Sequence, residues 1–192
     1  MAKVGRRELL LLLLGLDHGR ASTLGIGGIT RLQKLLFLLE KEAGFAPSGE
    51  GFEFTPYKAG PYSSRLYDDL ELLENLGLVE SEATAVATEP EQAELEALSF
   101  EELIGTPSDD ERPGADTYEE RKFRLTAKGL QHVKSLLGKP ALREAANAVS
   151  KVKSQYASYS LNELLRHVYT KYPAMTVESE IKEQVLGHRG RR

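Results

Sequence analysis

Apolar positions recur at helical spacing through most of this chain. The nearly unbroken leucine run within residues 6–17 predicts a first helix that is buried on most sides. In residues 30–41, leucines three and four positions apart form one apolar stripe, and Lys34 lies off it. A glycine-rich loop over residues 19–28 precedes this second helix. Thr30 is in position to cap the helix, and Gly44 ends it.

A short strand, a turn and a third helix follow. Residues 52–54 alternate as in a strand, and residues 55–61 contain the prolines and glycine of a turn. The third helix runs from Arg65 to about Asn75, and Gly77 supplies its left-handed stop.

Two strand-like segments flank a long polar excursion. A strand begins at 78–80, and a second returns over 120–125, with Phe123 and Leu125 on one face. Between them, residues 81–118 form an acidic insertion. Two antiparallel strands joined by an excursion, after a helix that ends in Gly-Leu-Val, are typical of a winged helix.

The remaining chain predicts further helices, and these complete the domain plan. A helix starts at Thr126, another opens at Pro140, and Ser160 caps a third. The sequence therefore predicts an α+β, mostly helical protein: a winged-helix-like core with an acidic wing insertion and C-terminal helices. The boundaries are a winged-helix-like domain over 1–137 that includes the insertion, a helical extension packed on it over 138–186, and a basic tail over 187–192.

Charge is sorted by segment, which the formal net charge of −4 conceals. Residues 81–120 hold thirteen acids and one base, whereas residues 121–192 hold fifteen Lys and Arg against five acids. Two strong and opposite fields therefore act over different parts of the chain. The acidic insertion is in a position to dock on the basic half or on a basic partner.

The composition narrows the class of protein. The absence of cysteine excludes disulfides and thiolate chemistry, and it fits a cytoplasmic location. The leucine run is far too short to span a bilayer, so no membrane association is expected. The four histidines, at positions 18, 132, 167 and 188, have no metal-ligand spacing, so we expect no metal, no cofactor and no enzymatic activity.

Three segments resemble a known family. Residues 29–38, with Leu-Gln-Lys-Leu, residues 57–63, with Gly-Pro, and residues 76–79 resemble the Panacea (SocA-like) antitoxin domain and the related YwgA-like proteins. Residues 161–169, 171–173 and 179–181 resemble the YwgA-type C-terminal end in particular. The resemblance implies neutralisation of a toxin by protein contact rather than a reaction.

The predicted partner-binding surface surrounds the Gly-Pro turn. Rigid aromatic residues beside a turn are enriched at interface hot spots. A purely structural turn that positions the third helix is the alternative. The residues of this predicted surface are Tyr57, Lys58, Tyr62, Arg65 and Tyr67.

A nucleic-acid-binding transcriptional regulator is the alternative function. Its surface would be the basic stretch 121–153, although a solvated helix face explains the same charges. The third helix carries Asp68, Asp69 and two glutamates, so it would repel a duplex. The candidate nucleic-acid-binding residues are Arg121, Lys122, Arg124, Lys128 and Lys134.

The sequence therefore favours a non-enzymatic interaction module. The expected partner is a toxin- or defence-type protein, and a homodimer is a further candidate assembly. Nucleic acid is the other candidate ligand.

Overall fold

The computed structural model describes residues 4–17, 19–45, 47–86, 118–156 and 158–187. The described α-helices are α1 (Arg6–Gly15), α2 (Ile29–Glu42), α3 (Ser64–Asn75), α4 (Ala127–Leu136), α5 (Pro140–Tyr156), α6 (Leu161–Lys171) and α7 (Lys182–Leu186), with a 3-10 turn at Pro173–Thr176. The described strands are β1 (Leu16–Asp17), β2 (Arg20–Ala21), β3 (Ile26–Gly27), β4 (Thr55–Tyr57), β5 (Gly60–Tyr62), β6 (Val79–Val86) and β7 (Tyr118–Leu125).

The predicted α+β, mostly helical class is confirmed. Strands β3, β7 and β6 form an antiparallel sheet in that order, with Ile26 opposite Phe123 and Val79 opposite Leu125. Helix α1, strand β3, helices α2 and α3, and strands β6 and β7 occur in the order of a winged-helix domain, with β1 and β2 inserted before β3 and the hairpin β4–β5 inserted before α3. The apolar face of the sheet joins the same hydrophobic core as α1 and α2.

Helices α1 and α2 form the centre of this core, and the C-terminal helices pack on them. Helix α5 contacts both, and α6 contacts α2. Lys153 of α5 donates hydrogen bonds to the carbonyl oxygens of Leu13, at 3.2 Å, and Leu16. It thereby satisfies carbonyl groups that the end of α1 leaves without helical partners.

None of the described helices is long and apolar enough to cross a membrane.

The wing strands are longer than predicted. Residues 81–86 belong to β6, not to the insertion, and β7 begins at Tyr118. In the register of this pair, Glu80 faces Arg124 and Glu82 faces Lys122. Opposite charges that face each other across two strands stabilise the pairing. Glu82, which the sequence pattern assigned to the acidic insertion, is therefore a strand residue. The rest of the predicted insertion lies outside the described residues, as does nearly all of the predicted tail.

Three local predictions are wrong for identifiable reasons. Residues 52–54 do not form a strand, because Glu53 adopts a left-handed φ of 54°. Thr30 does not cap α2, because the helix already begins after Gly28 and Thr30 is buried in its first turn. Residues 26 and 27 pair with β7, although the glycine-rich context of this segment predicted a loop.

Candidate functional site

Three tyrosine rings lie side by side on the hairpin β4–β5 and the adjacent α3. The ring centroids of Tyr57 and Tyr62 are 5.0 Å apart, and those of Tyr62 and Tyr67 are 5.7 Å apart. All three side chains are half-buried, so each presents part of its ring to solvent. We call these three residues the tyrosine row.

Hydrogen bonds with helix α2 hold the hairpin in place. The Ser63 amide donates to Gln33 Oε1 at 2.9 Å, and Gln33 Nε2 donates to the Ser63 carbonyl oxygen at 3.4 Å. Lys34 Nζ donates to the carbonyl oxygen of Pro61 at 3.1 Å. The Leu-Gln-Lys-Leu and Gly-Pro segments are therefore one hydrogen-bonded unit. Lys34 is buried beneath the hairpin, although it lies off the apolar stripe of α2.

The C-terminal segment supports the same hairpin from the side. The Glu180 amide donates to the Lys58 carbonyl oxygen at 2.9 Å, and the two side chains form an ion pair at 3.5 Å. Gly60 adopts a φ of 89°, and a methyl group there would lie 2.8 Å from Tyr169 Cε1. The hairpin is thus fixed on two sides, which limits the motion of the rings it carries.

The structure brings together four of the five predicted partner-binding residues. Tyr57, Lys58, Tyr62 and Tyr67 lie on the hairpin or beside it. Arg65 points elsewhere, because residues two positions apart on a helix occupy different faces. Its guanidinium pairs with Glu50 at 3.2 Å and Glu53 at 2.8 Å, and so it holds the preceding loop.

A small pocket opens at the tyrosine row. Its cavity volume is about 10 Å³, which is room for about one water molecule. Small-molecule sites usually enclose about 300–1,000 Å³. The pocket is lined by Thr30, Gln33, Lys34, Tyr57, Ala59, Gly60, Tyr62 and Tyr67.

The predicted nucleic-acid-binding residues do not form one open basic surface. The Arg121 guanidinium donates to the Ser81 hydroxyl at 2.6 Å and lies 3.8 Å from Glu74. Arg124 pairs with Glu80 at 2.9 Å and with Glu82 at 3.3 Å. These contacts direct two of the five cations toward acids of the protein itself.

The remaining three cations lie on the exposed side of β7 and α4. Lys128 Nζ donates to the carbonyl oxygen of Leu76 at 2.7 Å and so caps the end of α3. Lys122 and Lys134 are exposed. Helix α3 presents the exposed acids Asp68 and Glu71, which keeps its outer face unfavourable for phosphate.

Asp69 does not belong to that acidic face. Its side chain is fully buried and accepts hydrogen bonds from both arginines at the start of α1. Arg7 Nε lies 2.7 Å from Asp69 Oδ1, and Arg6 contacts both carboxylate oxygens, with Nη2 at 3.3 Å. The prediction that Asp69 is one of the acids by which the third helix repels a duplex is therefore wrong for this residue.

A second polar cluster, missed by sequence reasoning, joins α2 to the C-terminal helices. Glu42 accepts a hydrogen bond from Tyr156, and its Oε1 lies 2.9 Å from His167 Nε2, 2.9 Å from Lys171 Nζ and 3.2 Å from the Tyr172 hydroxyl. Burial acts to raise the pKa of Glu42, but these hydrogen bonds outweigh it and lower the pKa to about 2. No local sequence signal marks this cluster, because its members are up to 130 residues apart in sequence.

Replacing Glu42 with glutamine should reduce stability in a pH-dependent way. Since the folded-state pKa of about 2 lies below the ordinary 4.5, the ionised carboxylate stabilises the fold above about pH 5. We expect Glu42→Gln to lower the free energy of unfolding by about 2–3 kcal/mol at neutral pH, a difference that disappears as the pH falls toward 2. Urea unfolding across this pH range measures it, with the exposed Glu71→Gln as control. A difference that is constant with pH would contradict this assignment.

Comparison with known proteins assigns this chain to no family. No protein-family model matches it, and no curated protein matches it. In the described part of the chain, no three His, Asp or Glu side chains are grouped closely enough to hold a metal ion.

Proposed function

We propose that this protein is a non-enzymatic interaction module that binds a protein partner through the tyrosine row. The observation that carries the proposal is the set of three adjacent, partly exposed tyrosine rings on the adjacent helix α3 and on a hairpin that is fixed from two sides. Tyrosine supplies large contact area at low entropic cost, and it is enriched among residues that dominate binding energy.

The hydrogen bonds that hold the hairpin favour a preformed binding surface over one that changes conformation on binding. Hydrogen bonds from Gln33 and Lys34 hold the hairpin on α2, and Glu180 holds its turn. A surface that is already ordered loses little freedom on association, so more of its contact energy appears as affinity. The small pocket offers too little volume for a small-molecule substrate, which favours a macromolecular ligand.

The resemblance to Panacea-type antitoxins suggests the kind of partner. We propose a toxin- or defence-type protein in the cytoplasm, neutralised or delivered by contact. Binding of nucleic acid has weaker support, because Arg121 and Arg124 pair with acids of the protein and Lys128 caps α3.

Affinity capture from cells that express the tagged chain tests the proposal. The row variant combines Tyr57→Ala and Tyr62→Ala, and the control is Leu76→Ser, which changes an exposed apolar side chain outside the row. We expect the wild type and the control to enrich the same partner, and the row variant to lose about tenfold or more of it. Thermal melting establishes that both variants remain folded. Equal enrichment by all three folded proteins would contradict the proposal.

A further inference from the structure

Helix α3 carries two exposed carboxylates beside the tyrosine row. Its exposed positions Ser64, Asp68, Glu71 and Asn75 are three or four residues apart, so they lie on one face of the helix. Tyr67 lies four positions before Glu71, a spacing that makes the two side chains neighbours on the helix surface. Asp68 and Glu71, which we call the acidic pair, therefore border the row.

The lysines nearest the row have partners within the protein. Lys58 forms an ion pair with Glu180 at 3.5 Å. Lys34 is 3% exposed, and it donates a hydrogen bond to the Pro61 carbonyl oxygen at 3.1 Å. Neither lysine therefore makes the outer surface of the row strongly positive.

The acidic pair is not neutralised in the same way. Arg65 is the basic residue of α3, and its guanidinium pairs with Glu53 at 2.8 Å. No salt bridge joins Asp68 or Glu71 to a residue that the structure describes. The surface beside the row is therefore negative, and it attracts positively charged groups.

We infer that the protein partner presents a basic segment, with Lys or Arg side chains, to the tyrosine row and the acidic pair. The inference rests on the proposed function, and it adds the chemical class of the contact. A cation over a tyrosine face is attracted by the ring, and the carboxylate of Glu71, the neighbour of Tyr67, attracts the same group. Both attractions act on one side chain, so a basic residue gains more here than an apolar residue of similar size.

The same charges disfavour an acidic ligand. A carboxylate or phosphate placed on the rings would lie beside two like charges, and such contacts are unfavourable in an interface. The rings alone would accept an apolar side chain as readily as a basic one. The acidic pair is therefore the feature that sets the class of the partner.

Three capped amino acids test the inference by NMR on the full-length protein at constant ionic strength. Acetyl-arginine methylamide carries the cation, the citrulline derivative is its uncharged isostere, and the glutamate derivative carries an anion. We expect the arginine derivative, at tens of millimolar, to shift the amide signals of Tyr57 and Tyr67 in a saturable way. The citrulline derivative should bind about fivefold or more weakly, since the attraction to both ring and carboxylate is lost.

A neutralised variant, with Asp68→Asn and Glu71→Gln, tests the role of the acidic pair. Its response to the arginine derivative should fall about threefold or more. The control combines Glu144→Gln and Glu183→Gln, which removes the same charge at exposed positions outside α3 and the hairpin. We expect the control to respond like the wild type.

The outcomes separate this inference from the proposed function. Equal responses to the arginine and citrulline derivatives, no saturable response to arginine, a stronger response to glutamate, or equal losses in the two variants would overturn the basic contact. If that happens while the Tyr57→Ala and Tyr62→Ala variant still loses its partner, the tyrosine row stands as the interaction surface without this contact.

Sedimentation tests the other basic occupant, a second copy of the chain, whose α4 and α5 expose Lys134 and Lys151. We expect a monomer, and a dimer that the neutralised variant loses would overturn the assignment to a different protein.

Discussion

Replacing Asp69 with asparagine should destabilise this protein more than Glu42→Gln does. The side chain is fully buried, and removing its charge leaves Arg6, whose side chain is only 16% exposed, without its buried counter-ion. Breaking a buried ion pair from one side costs about 3–5 kcal/mol. For a chain of this size, that corresponds to a fall in melting temperature of about 6–20 °C.

The neighbouring Asp68 provides a matched control for this experiment. It is the same residue type on the same helix, but it is exposed. Asp68→Asn should change stability by about 0.5 kcal/mol or less. Calorimetry or urea unfolding of the two variants measures the contrast. If both variants unfold together with the wild type, Asp69 does not form the buried ion pair that holds α1 to α3.

Gly129→Ala is the second change with a large expected effect. A methyl group on Gly129 would lie 1.9 Å from the carbonyl oxygen of Leu78, a backbone atom that cannot rotate away. The same oxygen accepts the amide of Thr126 at 3.1 Å, so moving α4 outward also disturbs the start of that helix. We expect a loss of about 2 kcal/mol or more from this overpacking.

The direction of the change in stability makes the Gly129→Ala experiment decisive. In a helix without such a contact, Gly→Ala stabilises by about 1 kcal/mol because alanine has the higher helix propensity. Gln131→Ala, at an exposed position of the same helix, should leave stability nearly unchanged. Urea unfolding distinguishes the cases. A Gly129→Ala protein that is more stable than the wild type would contradict the close packing of α4 on the start of β6.

The sequence predicted those parts of the fold that depend on local pattern. Gly77, which adopts a φ of 65°, ends the third helix as expected. Ser160 caps α6, where its hydroxyl accepts from the Glu163 amide and the Glu163 side chain accepts from the Ser160 amide. These signals lie within three or four residues of one another, so one sequence is enough to read them.

The parts that were missed depend on contacts between distant residues. Lys34 and Asp69 have the sequence context of surface residues, yet both are buried because partners from other segments satisfy them. Charged residues are rarely buried unless paired, and pairing across the fold leaves no local pattern. The Glu42 cluster was missed for the same reason.

The candidate site was predicted in part. The resemblance carried by the Leu-Gln-Lys-Leu and Gly-Pro segments pointed to residues 57–63, and the structure gives a physical reason for the two segments to occur together. Gln33 and Lys34 hold the backbone of Pro61 and Ser63. The adjacency of Tyr67 to the other two rings, and the divergence of Arg65, required the three-dimensional arrangement.

Site-specific photo-crosslinking tests the proposed interaction surface most directly. A benzophenone amino acid replaces Tyr57 in one sample and the exposed Gln131, on α4, in the other. We predict that irradiation in cells links a protein partner to the chain through position 57 and not through position 131. A partner that is linked through position 131 while position 57 yields none would contradict the assignment of the tyrosine row as the binding surface.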